Sequence, residues 1–253
     1  MSNKRKYDEW VEKVCDFLAK EGPILKKHCA TFQSKPILDK QADVVFLGFN
    51  PHEDWGYCKE DSQPQRFYDG NQSFCNPEER KKGEWKIWNR LYGAFEWAEY
   101  TKPLTDGNFM FFNAVYFGSK TINDLKAIPG SKEAIDKCLD YTGEVIQDIF
   151  KPKCVVCFSI PECFNNLNRK FSFTDVKSIQ LYENIDPKLV DFVQNRTERS
   201  WKNVPQINCT AKSGIWGNIP VFGIPHPSSR HISYDCWGLI ALYLRGEMEK
   251  LGI

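Results

Sequence analysis

Asn50, Asn113 and His226 are the residues of this chain best placed to do chemistry. Each follows an apolar run. Val44–Leu47 leads into Gly48-Phe49-Asn50-Pro51-His52, Phe109–Phe112 leads into Asn113, and Val221–Ile224 leads into His226-Pro227-Ser228-Ser229-Arg230. A short apolar run bounded by turn-forming residues reads as a buried strand. Open α/β sheets bind ligands beyond the carboxyl ends of their strands, so if the first and last of these strands are neighbours, their loops face one another across a crevice. None of the three residues is a carboxylate. An amide has no basic lone pair near neutral pH and cannot serve as a general base, but it can orient a water and meet a planar, amide-like ligand with both a donor and an acceptor. A neutral imidazole can donate a hydrogen bond to developing negative charge. Together these groups suit the stabilisation of a leaving group and the positioning of water.

The elements that must carry them alternate between strand and helix. Tyr7 to Lys20 spaces Trp10, Val11, Val14, Phe17 and Leu18 as an amphipathic helix, stopped at Gly22-Pro23. Asp43–Phe49 predicts the first strand. The stretch from His52 to Pro77 is longer than an ordinary connection, and long loops in compact domains are commonly functional or mobile. A helix with Trp85, Trp88, Leu91 and Phe95 at spacings of three and four follows, and Trp97 lies beyond them; these aromatics read as core. Phe109–Val115 predicts the second strand, Ile122–Lys126 and Lys132–Phe150 predict helices, and Cys154–Phe158 predicts the third strand. Pro161–Leu167 begins another helix. From about Asn168 to Pro220 the rhythm breaks, with a polar helix over Pro187–Arg196 and a hairpin among Gly and Pro residues, so this region reads as an insertion. Val221–Ile224 is the fourth strand and Trp237–Leu251 the closing helix. Such alternation implies an α/β protein with a mostly parallel sheet covered on both faces, in one domain spanning 1–253 with a helical extension over 1–40 and the insertion over about 168–220.

With 253 residues and 42% hydrophobic content, the chain can bury a full core. No apolar run approaches the roughly 20 residues of a membrane helix, and the basic start Met1-Ser2-Asn3-Lys4-Arg5-Lys6 leads into amphipathic sequence, so a soluble, intracellular, cytoplasmic protein is expected. The ten cysteines are scattered among apolar segments and read as reduced, mostly buried thiols. Cys154 and Cys157 have ligand-like spacing, but residues three apart in a strand point to opposite faces, so no metal or cofactor is expected. A formal charge of +1 leaves nucleic-acid affinity to local groups such as Arg80-Lys81-Lys82, Lys120 and Arg230-His231, each of which also fits a solvated surface.

Gly48-Phe49-Asn50-Pro51, Phe111-Phe112-Asn113-Ala114-Val115 and His226-Pro227-Ser228-Ser229-Arg230, in that order, resemble the three active-site segments of the uracil-DNA glycosylase superfamily. The resemblance covers about Asp43–Phe164 and Pro220–Leu251. It implies a three-layer α/β/α sandwich around a four-stranded parallel sheet, and cleavage of the N-glycosidic bond of a flipped-out uracil or related deaminated or mispaired base during base excision repair. His226 would donate a hydrogen bond to the leaving base and Asn50 would hold the attacking water. Asn113, with Phe49, would bind the base. An aromatic ring would stack on it, with Phe67, Tyr68 and Phe74 as candidates and Phe74 preferred. Pro51, Ser228, Ser229 and Arg230 would meet the DNA, single- or double-stranded, with no membrane and no obligate protein partner.

The chain also departs from that pattern. Asn50 stands where the most active uracil-specific members carry Asp, which places the chain nearer the mismatch-directed and single-strand-selective branches. His52-Glu53-Asp54 replaces the small residues usual there, Trp55 to Pro77 is a longer loop, and the cysteines of the iron–sulfur branches are missing. Glu53 and Asp54 fit solvated loop charges, Asn50-Pro51 fits an ordinary strand-ending turn, and His226 fits a structural histidine. Two rival functions therefore stay open. One is an inactive nucleobase- or nucleic-acid-binding protein of the same fold; the other is a hydrolase of free nucleosides or nucleotides with Glu53 or Asp54 as acid or base.

Overall fold

The computed structural model describes residues 3–52, 55–81, 85–181, 209–229, 232 and 234–253. Its centre is one mixed sheet of six strands in the order β2-β1-β3-β6-β5-β4. These are β1 (Val44–Gly48), β2 (Phe109–Asn113), β3 (Cys154–Phe158), β4 (Thr174–Gln180), β5 (Thr210–Trp216) and β6 (Ile219–Ile224). β2, β1, β3 and β6 are parallel neighbours, whereas β5 runs antiparallel to β6 and β4 antiparallel to β5.

The expected sheet of four strands is thus corrected to six. The region read as an insertion supplies β4 and β5, which extend the sheet beyond β6 instead of looping out from it. The Gly217 turn makes this possible: its positive φ of 64° closes a tight β5–β6 connection that side chains rarely adopt. The polar helix expected over Pro187–Arg196 lies outside the described residues.

The central strands have no solvated face. Val44–Gly48, Phe109–Asn113 and Cys154–Phe158 are buried at every position, as parallel strands covered on both sides must be. Their alternate residues feed two separate cores. Val45, Leu47, Met110, Phe112, Val155 and Cys157 pack under α1 (Asn3–Leu25) and α3 (Ser131–Glu144), whose last turns widen into a π-helical segment over Val145–Phe150. Val44, Phe46, Phe109, Phe111, Cys154 and Val156 pack under α2 (Lys86–Trp97) and α5 (Tyr234–Lys250). Cys154 and Cys157 fall on opposite faces, as strand geometry requires.

Several element boundaries move. α1 continues past Gly22-Pro23 to Leu25, and Gly22, lacking a side chain, leaves room for the ring of Tyr57. The helix is also a full layer of the core: Trp10 is completely buried and its indole N–H donates to the Tyr141 carbonyl at 3.0 Å. The stretch expected as a long loop instead holds short helical turns at Lys59–Ser62, Gln65–Asp69 and Gln72–Cys75. The helix read from Pro161 is a π-helical turn, Ile160–Phe164, continued by α4 (Asn165–Phe171). The free edge of β2 is shielded by residues 29–34, through antiparallel bridges of Cys29 to Phe117 and Phe32 to Phe112, which removes an edge open to wrong pairing.

The expectation of ten reduced thiols is corrected at one pair: Cys209 and Cys236 form a disulfide joining the start of β5 to the start of α5. The other eight cysteines are free. No helix among the described residues is long and apolar enough to cross a membrane.

Gly223 in β6 marks the tightest packing between sheet and helix, since a Cβ there would meet the Phe164 ring at 2.8 Å and the Phe164 Cβ at 2.9 Å. Gly223→Ala overpacks this contact and is expected to destabilise the protein by about 1–3 kcal/mol, read as a lower urea midpoint with unchanged slope.

Candidate functional site

The order β2-β1-β3 places a reversal of chain direction at β1 and β3, because the chain leaves β1 toward β2 and then crosses back to β3. A crevice beyond the carboxyl ends is expected at such a point. Asn113 ends β2, Asn50 lies two residues beyond β1, Ser159 follows β3 and His226 lies two residues beyond β6. β1 and β6 are not neighbours. β3 separates them, so the Asn50 and His226 loops lie about 10 Å apart across two strand spacings.

Each of the three polar side chains is held by a different local device. Asn113 sits opposite Gly48 in the parallel register, and a Cβ on Gly48 would lie 2.6 Å from Asn113 Oδ1. The missing side chain is what gives the amide its place. Asn113 is 5% exposed, its backbone N–H donates to Thr31 O at 3.0 Å and its Nδ2 reaches Ala30 O at 3.5 Å.

Asn50 is oriented by Ser119. The Ser119 hydroxyl donates to Thr121 O at 2.7 Å, which leaves its oxygen to accept Asn50 Nδ2 at 2.9 Å. The same Nδ2 donates to Pro51 O at 3.1 Å. With both amide hydrogens engaged, Oδ1 is the end of Asn50 left to accept a hydrogen bond. Ser119 is 1% exposed and its own N–H donates to Pro51 O, so the buried Pro51 turn and the serine form one unit.

His226 opens a tight turn in which Ser229 N–H donates to His226 O at 2.9 Å, with Pro227 at the second position, where its fixed φ is favourable. The backbone N–H of Ser228 points at His226 Nδ1 from 3.1 Å, and the Ser228 hydroxyl lies 2.7 Å from the same atom. A backbone N–H can only donate, so Nδ1 is the acceptor and the neutral ring carries its proton on Nε2. Burial, and secondarily the nearby His52, push the His226 pKa down from 6.5 to about 4. The imidazole is therefore a neutral hydrogen-bond donor at physiological pH. Arg90 of α2 fixes the whole turn by donating through Nη1 to the carbonyls of Pro227, at 2.6 Å, and Ser229, at 2.9 Å.

A row of rings lines the same face of the sheet. Phe74 meets Phe111 edge-on at 5.5 Å, Phe111 meets Phe158 at 5.5 Å, and Phe158 meets His226 at 6.4 Å. Phe74 thus joins the ring system of the site, although it is itself 1% exposed. Phe67 and Tyr68 do not. Phe67 packs edge-on against Trp10, and the Tyr68 hydroxyl donates to Asp8 of α1 at 2.6 Å. The Phe49 ring packs into the core beneath α1, and its carbonyl accepts Val115 N–H at 2.7 Å. Ser228 is exposed and Ser229 half-buried. Glu53, Asp54, Lys82, Arg230 and His231 lie outside the described residues.

Ser119, Arg90, Phe111 and Phe158 were not singled out as site residues from the sequence. Phe111 was quoted within the Asn113 segment, and Phe158 was visible as a strand end. Ser119 and Arg90 act on partners 69 and up to 139 residues away, and no local pattern signals them. No protein-family model and no curated protein sequence matches the chain.

The pKa of His226 sets a stability test. Its folded value of about 4 lies below the ordinary 6.5, so as pH falls the unfolded chain takes up the proton first. Stability should therefore drop between about pH 6.5 and pH 4, by roughly 3 kcal/mol, with little contribution to the slope outside that window. Urea unfolding of the wild type and His226→Asn across this range should show that part of the slope vanishing in the variant.

Proposed function

We propose that the protein is a metal-independent DNA glycosylase of the uracil-DNA glycosylase type, hydrolysing the N-glycosidic bond of uracil or a related deaminated or mispaired base in DNA. The observation that carries this reading is the fixed tautomer of His226, whose Nε2–H is a neutral donor at the carboxyl end of a buried parallel strand, beside a row of aromatic rings. A departing pyrimidine needs such a donor, because the electron pair of the broken bond leaves with the base and accumulates on its carbonyl oxygen. A donor already neutral and oriented requires little reorganisation as that charge develops.

The remaining groups fit complementary roles. Asn50 Oδ1 accepts a hydrogen bond from a water directed at the sugar carbon from which the base departs; the water oxygen forms the new bond, and its proton is released to solvent. Asn113 offers the donor and acceptor that a pyrimidine edge requires, and Phe74, Phe111 and Phe158 form the apolar wall along which the base lies. Ser228 and Ser229 face the DNA backbone, with Pro51 supporting the water side. The finer fold assignment, a three-layer α/β/α sandwich of this type, belongs to the same proposal. It is supported by four parallel strands with helices on both faces, the antiparallel strands β4 and β5 being an addition.

The test is product formation on uracil-containing single- and double-stranded oligonucleotides. Abasic product is expected from at least one, and Asn50→Ala and His226→Ala should each reduce the rate by about 10²–10³-fold without lowering Tm by more than a few degrees. No abasic product from either substrate sinks the glycosylase reading. Tight binding without product would then identify a nucleobase- or nucleic-acid-binding protein, and turnover of a free nucleoside would identify a nucleoside hydrolase.

A further inference from the structure

Trp55 stands out among the described residues as a large aromatic side chain turned to solvent. It is 67% exposed, and the other large apolar side chains exposed to a comparable degree or somewhat less are Ile24 and Val176. Its backbone is held in place. His28 N–H donates to Trp55 O at 3.1 Å, Gly118 N–H donates to His28 O at 2.9 Å, and Ser119 N–H donates to Pro51 O at 3.0 Å. His28 is anchored in turn by its Nδ1, 2.8 Å from the buried Asp61 carboxylate. These bonds tie Trp55 to the rim that carries Asn50 and its orienting serine. Trp55 comes four positions after Pro51, so its backbone lies within about 14 Å of Pro51, the residue next to Asn50.

The surroundings match a polyanion that also presents flat apolar faces. Lys26, Lys59 and Lys120 are exposed on the segments that flank Trp55, Tyr57 and Ser119. Among the described residues of the segment 55–62 the exposed carboxylate is Glu60, which accepts the Cys58 thiol, and Lys59 also lines a groove with Glu12 and Asp16 of α1. An exposed aromatic ring with lysines on neighbouring segments is a pattern by which proteins hold unpaired bases, the ring stacking and the cations tracking phosphates. Bases within a duplex already stack on their own neighbours and offer Trp55 no face.

We propose that Trp55 is a stacking platform for an unpaired base adjoining the nucleotide held at the Asn50–His226 site, with Lys26, Lys59 and Lys120 along its phosphodiester backbone, so that the partner is single-stranded DNA. The proposal rests on the reading of that site as one for a base in DNA. It adds the strand state of the substrate and the residue that reads it.

The experiment compares the full-length wild type with Trp55→Ala and Trp55→Phe, measuring Kd by fluorescence anisotropy for a uracil-containing single strand and its fully paired duplex. Trp55→Ala should weaken single-strand binding on the order of tenfold and duplex binding less than twofold, and Trp55→Phe should retain most of the affinity. Quenching of tryptophan emission on single-strand binding should fall in Trp55→Ala. Equal single-strand affinity for wild type and Trp55→Ala overturns the proposal, as does an equal loss on both substrates or a wild type that binds no single strand. Parallel assay of the wild type for abasic product separates the two readings. Trp55-dependent single-strand binding without product keeps this proposal and rejects the glycosylase; product formation indifferent to Trp55 does the reverse.

Discussion

The burial of the parallel strands on both faces is the constraint from which the rest follows. β1, β2 and β3 each present five consecutive buried residues to two apolar cores. An unpaired polar side chain within that span would carry a desolvation cost of several kcal/mol, so the polar functional groups of the core gather where the strands end. Asn50, Asn113 and His226 occupy those ends. The two faces also divide the aromatic residues: the rings packed under α2 and α5 run along the sheet to His226, while those under α1 stabilise the opposite layer without reaching the site.

At the strand ends, each polar group has its orientation fixed by a neighbouring residue. Ser119 turns the Asn50 amide, Gly48 leaves room for Asn113, and the Ser228 backbone sets the His226 tautomer. The site achieves directional hydrogen bonding with no described side chain formally charged at its centre. Neutrality suits the buried ends of these strands, because an isolated charge there would shift its pKa until it neutralised, as His226 does.

Much of this was legible in the sequence, and what was not has a physical reason. Uninterrupted apolar runs such as Val44–Leu47 can be read as buried strands because nothing in them alternates with polar residues, and the turn residues after them locate Asn50 and His226. The sheet's outer strands were not legible. Thr174–Gln180 is exposed at five consecutive positions and pairs only with β5, so its polar composition resembles that of a loop. The aromatic candidates showed the same limit. Phe67 and Phe74 are both almost fully buried and lie seven residues apart, and only the fold decides that one packs on α1 and the other on Phe111. The Cys209–Cys236 pair was equally hidden, since spacing alone does not say which two of ten cysteines the fold brings together.

That disulfide gives the His226 turn an unusual standing in the covalent topology. Cys209 precedes β5 and Cys236 begins the last helix, so β5, β6 and the turn between them and α5 lie within one covalent ring of the chain. A protease that cuts the exposed turn at Ser228 would open the ring without releasing either piece. The nicked protein would gain only one water in mass and its two pieces would stay joined until a reductant separated them, so a denaturing gel would reveal the cut only after reduction.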